Sequence, residues 1–236
     1  LYVVHVSCTD AIEPIAHARE KGWRVWGETC TQYLFIDETA LQKPGFEGGK
    51  YVYTPPPRPK EHQEPLWKAL QSDVLSAVST DHCPFNWPEQ KGLGRDDFSK
   101  IPNGGPGIEN RLHMLHHFGV REGRLSLNRF VELTSTNVAK LFGLYPRKGT
   151  IAPGADADIV IWDPEKPYTV SVETNHSNVN YNLFEGTEVV GAPEVVLVRG
   201  QVIVENDELV AQPGAGRFVK RARFGEELQA AQKATA

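Results

Sequence analysis

The chain has 236 residues, of which 40% are hydrophobic and 23% charged, an ordinary composition for a globular protein with one or two cores. Its net charge of −5 argues against a nucleic-acid or anionic-membrane partner, and no apolar run approaches the roughly 18 residues of a membrane span. Three widely spaced cysteines favour free thiols in a reducing cytoplasm over a disulfide framework.

The first half of the chain alternates short apolar runs with helical patterns, which predicts βα units and a parallel sheet. The predicted elements are strands at 1–6, 23–27, 50–54 and 74–79, with helices at 11–21 and 61–71. The chain opens inside the first strand. Because a buried parallel strand needs neighbours on both sides, we expect the chain to be a fragment of a longer protein.

The second half changes character at Gly149. A loop rich in Pro, Gly and charge is predicted at 84–106, and the helices and strands after it are predicted at 107–118, 127–133, 137–142, 159–162, 189–190, 195–198 and 201–205. We therefore divide the chain into an α/β part at 1–145, a small β domain at 146–212, and an extended arm with a low-complexity end at 213–236.

Two polar residues stand at the carboxyl ends of predicted strands. His5 is the last but one residue of the strand at 1–6, and Asp81 comes two residues after the strand at 74–79. In parallel α/β barrels the active site lies at the carboxyl ends of the strands, and imidazole with carboxylate is a donor set that suits zinc. The spacing alone leaves open that His5 is a hydrogen-bonded core residue.

Eight motifs in a fixed order add a stronger signal. They are His-Val-Ser-Cys at 5–8, Gly-Glu-Thr-Cys-Thr-Gln-Tyr-Leu at 27–34, Thr-Pro-Pro-Pro-Arg at 54–58, Ser-Thr-Asp-His-Cys-Pro-Phe at 79–85, Ile-Pro-Asn-Gly-Gly-Pro-Gly-Ile-Glu at 101–109, Thr-Ser-Thr-Asn at 134–137, Leu-Tyr-Pro-Arg-Lys-Gly at 144–149 and the stretch 154–162. This ordered set resembles the dihydropyrimidinases and D-hydantoinases, from the start of the chain to about residue 225.

The resemblance implies a fold and a set of site residues. The fold is the C-terminal half of a metal-dependent (β/α)8 TIM barrel, together with a small β-sandwich that both chain ends build in this family. The implied centre is binuclear, usually zinc, with His5 and Asp81 as two of its ligands; the remaining ligands and the carboxylated Lys are absent from this chain. Thr54, where the family usually has Ser, and Asn103 match positions whose main chain binds the substrate ring.

The implied activity is hydrolysis of the cyclic amide bond of dihydropyrimidines or hydantoins to N-carbamoyl amino acids, with Asp81 as metal ligand and catalytic base. Such an enzyme belongs to cytoplasmic pyrimidine catabolism and is a homotetramer when full length. Its partner is a small cyclic amide, with neither nucleic acid nor membrane. We expect residues 1–236 alone to be inactive.

Two alternatives stay open within this superfamily. Collapsin-response-mediator-like scaffold proteins share the Tyr-Pro-Arg-Lys-Gly stretch but lack the metal ligands, which His5 and Asp81 match here. Allantoinases and dihydroorotases are the second alternative, although dihydroorotase-like chains usually carry a His-bearing segment in place of Thr31-Gln32-Tyr33.

Other polar residues are given structural roles. His113, His116 and His117 share a helix with metal-like spacing but are interpreted as solvated or core-capping. His82 is interpreted as a structural or supporting residue, and Cys83 as pocket lining. Glu28 and Gln32 are placed near the rim of the site, and the basic run at 217–223 is interpreted as a solvated or subunit-contacting arm.

Overall fold

A computed structural model describes residues 1–223 of the chain. Its first sheet has three parallel strands, β1 (Tyr2–Val3), β2 (Trp26–Cys30) and β3 (Ala77–Ser79), in the order β1-β2-β3. Pairing continues past the short first strand, because the Val6 amide donates to the Glu28 carbonyl at 2.8 Å. The carboxyl ends of all three strands therefore lie along one edge of the sheet.

Six α-helices connect or follow these strands: α1 (Thr9–Glu20), α2 (Thr31–Phe35), α3 (Gln63–Gln71), α4 (Arg111–Leu115), α5 (Leu127–Val131) and α6 (Asn137–Leu141). α4 continues into a π-helical segment at His116–Arg121, and a second one at Glu132–Thr136 joins α5 to α6. Short 3-10 helices lie at Glu38–Gln42, Glu47–Tyr51, Lys60–His62, Lys91–Gly94, Phe98–Lys100 and Val172–Thr174.

The two faces of the parallel sheet differ in what covers them. A Cβ added at Gly27 of β2 would meet the side chains of Ile15 and Leu75 at 2.9 Å, so Gly27 faces the helices. Side chains alternate along a strand, so Glu28 points to the opposite face. There its carboxylate accepts hydrogen bonds from the hydroxyls of Tyr2 and Ser79, each at 2.7 Å. Glu28 therefore ties both outer strands to the central one.

The second sheet has four antiparallel strands in sequential order: β4 (Ile159–Thr169), β5 (Glu188–Val198), β6 (Gln201–Glu205) and β7 (Glu208–Leu209). The turns before β6 and β7 hold Arg199, Asn206 and Asp207 at positive φ. No helix among residues 1–223 is long and apolar enough to cross a membrane.

Histidines on α4 and the π-helical segment after it join the helices to the second sheet. The Val190 carbonyl of β5 lies 3.0 Å from His116 Nδ1, which must carry the proton because a carbonyl only accepts. His117 Nδ1 accepts from the Val190 amide at 3.0 Å, and His113 stacks on Tyr168. Burial lowers the pKa of both His113 and His116. All three histidines therefore pack and cap rather than gather around a metal.

The structure confirms some of the predicted elements and contradicts others. The helices at 11–21 and 61–71 and the hairpin strand at 201–205 are confirmed. The strand predicted at 50–54 is wrong: the chain forms a 3-10 helix that ends at Tyr51, and then turns through a cis peptide at Thr54-Pro55.

Other boundaries also differ. The strand predicted at 23–27 runs instead over Trp26–Cys30, and the strand predicted at 159–162 continues to Thr169. The helices predicted at 127–133 and 137–142 form one continuous helical run. The strands predicted at 189–190 and 195–198 are a single strand, β5, which carries Pro193 at a register shift against β4.

The arm at 213–223 has no regular secondary structure, and its Ala222 amide donates to the Gly143 carbonyl at 2.9 Å. The low-complexity end predicted at 229–236 lies outside the described residues.

Candidate active site

His5 and Asp81 lie just beyond the carboxyl ends of β1 and β3, on the same edge of the parallel sheet. Both have left-handed backbones, with φ of 42° and 47°. The other non-glycine residues with positive φ among residues 1–223 are Asp73, Arg199, Asn206 and Asp207, which all occupy tight turns. Such a conformation costs on the order of 1 kcal/mol or more, and it clusters at functional sites.

β2 separates the two candidate ligands. Neighbouring strands lie about 4.8 Å apart, so the backbones that carry His5 and Asp81 are separated by two spacings, or roughly 10 Å. Neither side chain makes a hydrogen bond or ion pair with another residue of the described chain. The imidazole nitrogens and carboxylate oxygens are therefore free to bind a ligand between the strand ends.

The donor types of His5 and Asp81 fit zinc, since zinc takes imidazole nitrogen and carboxylate oxygen. Within residues 1–223 no group of three or more His, Cys, Asp or Glu side chains is arranged to hold a metal ion. A catalytic zinc normally takes at least three protein ligands. His5 and Asp81 would therefore form part of such a centre.

Thr54 and Asn103 are brought into direct contact, although 49 residues separate them. The Thr54 hydroxyl donates to the Asn103 side-chain carbonyl at 2.9 Å, and both residues are exposed. Next to this contact the Gly104 amide donates to the Val52 carbonyl at 3.1 Å. The two segments that carry the predicted substrate-binding residues therefore form one surface.

Two side chains at the start of α2 hydrogen-bond to the segments that carry Asp81 and Thr54. The Gln32 carboxamide donates to the carbonyl of Thr80, which precedes Asp81, at 3.1 Å. The buried Tyr33 hydroxyl donates to the carbonyl of Pro55, which follows Thr54, at 2.8 Å. Gln32 was placed near the site from the sequence, whereas the anchoring role of Tyr33 was not predicted.

Residues 82–83 pair with the segment that follows Asn103. The Cys83 amide donates to the Gly105 carbonyl at 3.2 Å, and His82 Nδ1 accepts from the Gly107 amide at the same distance. His82 is therefore a structural residue, and burial lowers its pKa. Gly104 has a φ of 142°, and an added Cβ there would lie 2.2 Å from the Cys83 carbonyl oxygen.

Lys91 was not singled out in the sequence, yet it is completely buried next to this surface. Its ammonium donates to the carbonyls of Val52 and Pro102 at 2.7 and 2.6 Å. It also lies 5.7 Å from the centre of the Phe85 ring. Burial lowers the pKa of Lys91 to about 8.

The three cysteines are free thiols, as predicted. Cys83 is exposed, whereas Cys30 is buried and its pKa is raised to about 12, chiefly by that burial. A surface cleft of about 510 Å³ lies between Phe35, Met114 and the stretch 182–187. It includes none of the four predicted site residues.

Residues 3–203 match the amidohydrolase family, and the chain belongs to that family. It is 56% identical to the D-hydantoinase of Geobacillus stearothermophilus over 225 residues, which cover 95% of this chain and 48% of the relative. The dihydropyrimidinase of Arabidopsis thaliana is 41% identical, over 100% of this chain and 44% of its own length.

Solved structures agree with these relatives. The crystal structure of dihydropyrimidinase from Brevibacillus agri NCHU1002 matches with a TM-score of 0.94 and 60% identity, over 95% of this chain and 49% of that one. The resemblance seen in the sequence motifs is therefore confirmed. The chain spans about half the length of the curated relatives it matches.

Proposed function

We propose that this chain is the C-terminal half of an enzyme that hydrolyses the cyclic amide bond of dihydropyrimidines or hydantoins to N-carbamoyl amino acids. The observation that carries the proposal is the position of His5 and Asp81 at one edge of the parallel sheet, where the chain after Asp81 pairs with the segment after Asn103. Two residues with strained backbones, His5 and Asp81, end strands of one parallel sheet, while Thr54 and Asn103 form a joined surface. Relatives named D-hydantoinase and dihydropyrimidinase favour this activity over a scaffold role.

The proposed fold is the C-terminal part of a (β/α)8 barrel at 1–145, a small β domain at 146–212 and an arm from 213. The sequential parallel order β1-β2-β3, with helices packed on one face, supports the barrel part. The four-stranded antiparallel sheet supports a separate β layer. The second layer of a β-sandwich would come from the other half of the protein.

Zinc is the proposed metal, with His5 and Asp81 as the ligands from this half. When bound, zinc would polarise the ring carbonyl and make the attacking water more acidic. The Asp81 carboxylate would accept a proton from that water and pass it to the ring nitrogen as the amide C–N bond breaks. His5 must stay neutral at its ligating nitrogen.

The Thr54 and Asn103 segments would hold the substrate ring through their main-chain groups. The extra methyl group of Thr54, relative to Ser, leaves its main chain available for such a contact. The Thr54 hydroxyl is already engaged with the Asn103 side chain. Contacts of this kind would hold the ring in the site in the ground state and the transition state alike.

Hydrolysis assays on the full-length protein test the proposal. We expect it to convert dihydrouracil and hydantoin to their N-carbamoyl products, to lose that activity on chelation and to regain it with Zn²⁺. A folded, zinc-loaded protein that hydrolyses neither compound would contradict the proposal and favour the scaffold alternative. Size-exclusion chromatography of the same sample tests the homotetramer, and fractionation of the source cells tests the cytoplasmic location.

A further inference from the structure

Burying the Lys91 ammonium group carries a free-energy cost that other interactions in the fold must offset. Removing an ammonium group from water is expensive unless it is paired or fully hydrogen-bonded. The side chain is 0% exposed, and within the described chain no carboxylate forms an ion pair with it. Its hydrogen-bond acceptors are two main-chain carbonyls from segments that lie 39 and 11 residues away in the chain.

The positions of those carbonyls suggest a role. Val52 lies two residues before Thr54, and Pro102 lies directly before Asn103. A single ammonium group therefore joins the two segments immediately behind the surface that Thr54 and Asn103 form. Beyond Lys91, this junction has the bond from the Gly104 amide to the Val52 carbonyl and the exposed contact between the two side chains.

We propose that Lys91 is a positioning residue for the cyclic substrate: its buried ammonium holds the Thr54 and Asn103 segments at the spacing that the ring requires. This inference rests on the proposed function for its substrate class. Because the Lys91 side chain is completely buried and bonds to the main-chain carbonyls of the two segments, it would act through their main chain without touching the ring. The ring is still closed in the transition state for attack on the amide, so main-chain contacts to its other atoms bind ground state and transition state alike, and their loss raises KM and spares kcat.

The test replaces Lys91 by Met in the full-length protein, which shortens the unbranched side chain by one atom and removes every donor. We expect KM for dihydrouracil to rise about tenfold or more, kcat to change by less than about threefold, and zinc content to stay unchanged. The Thr54→Val variant breaks the exposed contact on the same surface. Because both changes loosen one junction, their effects on KM should be clearly non-additive in the double variant.

Two controls separate positioning from a general loss of stability. Lys100→Met makes the same substitution in the same loop, at an exposed side chain. Val170→Ala opens a cavity at a completely buried position next to the second sheet. Both should leave KM within about twofold of wild type, even where Val170→Ala lowers the Tm as much as Lys91→Met does. An unchanged KM in folded, zinc-loaded Lys91→Met protein would overturn the proposal.

Hydrogen exchange gives a readout that does not depend on activity. Exchange of the Gly104 amide, which bonds to Val52, should be faster in Lys91→Met than in wild type and unchanged in Lys100→Met. If wild type hydrolyses no cyclic amide but Gly104 responds in this way, the proposed function fails while the junction stands. Equal Gly104 exchange in all variants would refute the junction itself. Should Lys91→Met not fold, Lys91→Leu, which likewise removes every donor, is judged by the same criteria.

Discussion

Gly104 couples the Asn103 segment to the chain that follows Asp81, and replacing it by Ala should damage both stability and substrate binding. The residue has a φ of 142°, which L side chains rarely adopt, and an added Cβ would lie 2.2 Å from the Cys83 carbonyl oxygen and 2.8 Å from Cys83 Cβ. Backbone strain of about 1–3 kcal/mol and overpacking of about 1–3 kcal/mol add to a loss of roughly 2–6 kcal/mol.

The strain can be relieved if the 103–105 segment moves away from residues 82–83. Such a movement would break the bond between the Cys83 amide and the Gly105 carbonyl, and would carry Asn103 away from Asp81. We therefore expect Gly104→Ala to lower the Tm and to raise KM for dihydrouracil in the full-length protein.

Gly107→Ala is the matched control, because it lies in the same loop and an added Cβ there meets nothing within 4 Å. Thermal unfolding and steady-state kinetics on both variants decide the matter. Equal Tm and KM values for Gly104→Ala and Gly107→Ala would refute the coupling of the two segments through Gly104.

Three further predictions concern the metal ligands, the isolated chain and the buried lysine. In a crystal structure of the full-length protein, the nearest side-chain atoms of His5 and Asp81 should lie within about 8 Å, as shared metal ligation requires; a larger separation would remove one of them from the centre. Residues 1–236 expressed alone should bind little zinc, hydrolyse no hydantoin and associate through unpaired strand edges on size-exclusion chromatography. A monomeric, zinc-loaded and active product would contradict this. Between pH 8 and about 10.4 the unfolded chain holds a Lys91 proton that the folded protein has released, so the unfolding free energy should rise with pH. The Tm of wild type minus the Tm of Lys91→Met should therefore increase from pH 8 to pH 10. A constant Tm difference would contradict the lowered pKa of Lys91.

Local sequence patterns predicted the elements whose partners are close in the chain. α1 and α3 have regular apolar spacing, and α1 is followed by Gly22 at a φ of 72°. The placement of His5 and Asp81 at one edge of the parallel sheet also followed from the sequence pattern, because both residues stand at the ends of apolar runs. Their motifs, read together, predicted the family.

The strand predicted at 50–54 shows where pattern reasoning failed. Tyr51 and Tyr53 alternate with Val52 as in a half-buried strand, and both tyrosines are indeed buried. Yet the Val52 carbonyl binds Lys91 and Gly104, so no neighbouring strand pairs with it. In this loop the alternation buries the two tyrosine side chains without forming a strand.

Lys91 was missed for a related reason. It lies in a stretch rich in Gly, Pro and charged residues, where a lysine side chain is expected to be exposed to solvent. Its burial depends on carbonyls supplied by two distant segments, and no local pattern carries that information. The contact between Thr54 and Asn103 is equally non-local, since family resemblance indicated both residues but not their hydrogen bond.

In the proposed reaction Asp81 is both metal ligand and base. The most direct test of these two roles is dihydrouracil hydrolysis by full-length Asp81→Asn, beside Asp207→Asn, which alters another aspartate with positive φ in the turn between β6 and β7. An amide keeps the shape and tolerates that backbone but removes the negative ligand and the proton acceptor. We expect Asp81→Asn to fold with a wild-type Tm to within a few degrees and to show no measurable turnover, while Asp207→Asn stays active. Appreciable hydrolysis by folded Asp81→Asn would contradict these roles.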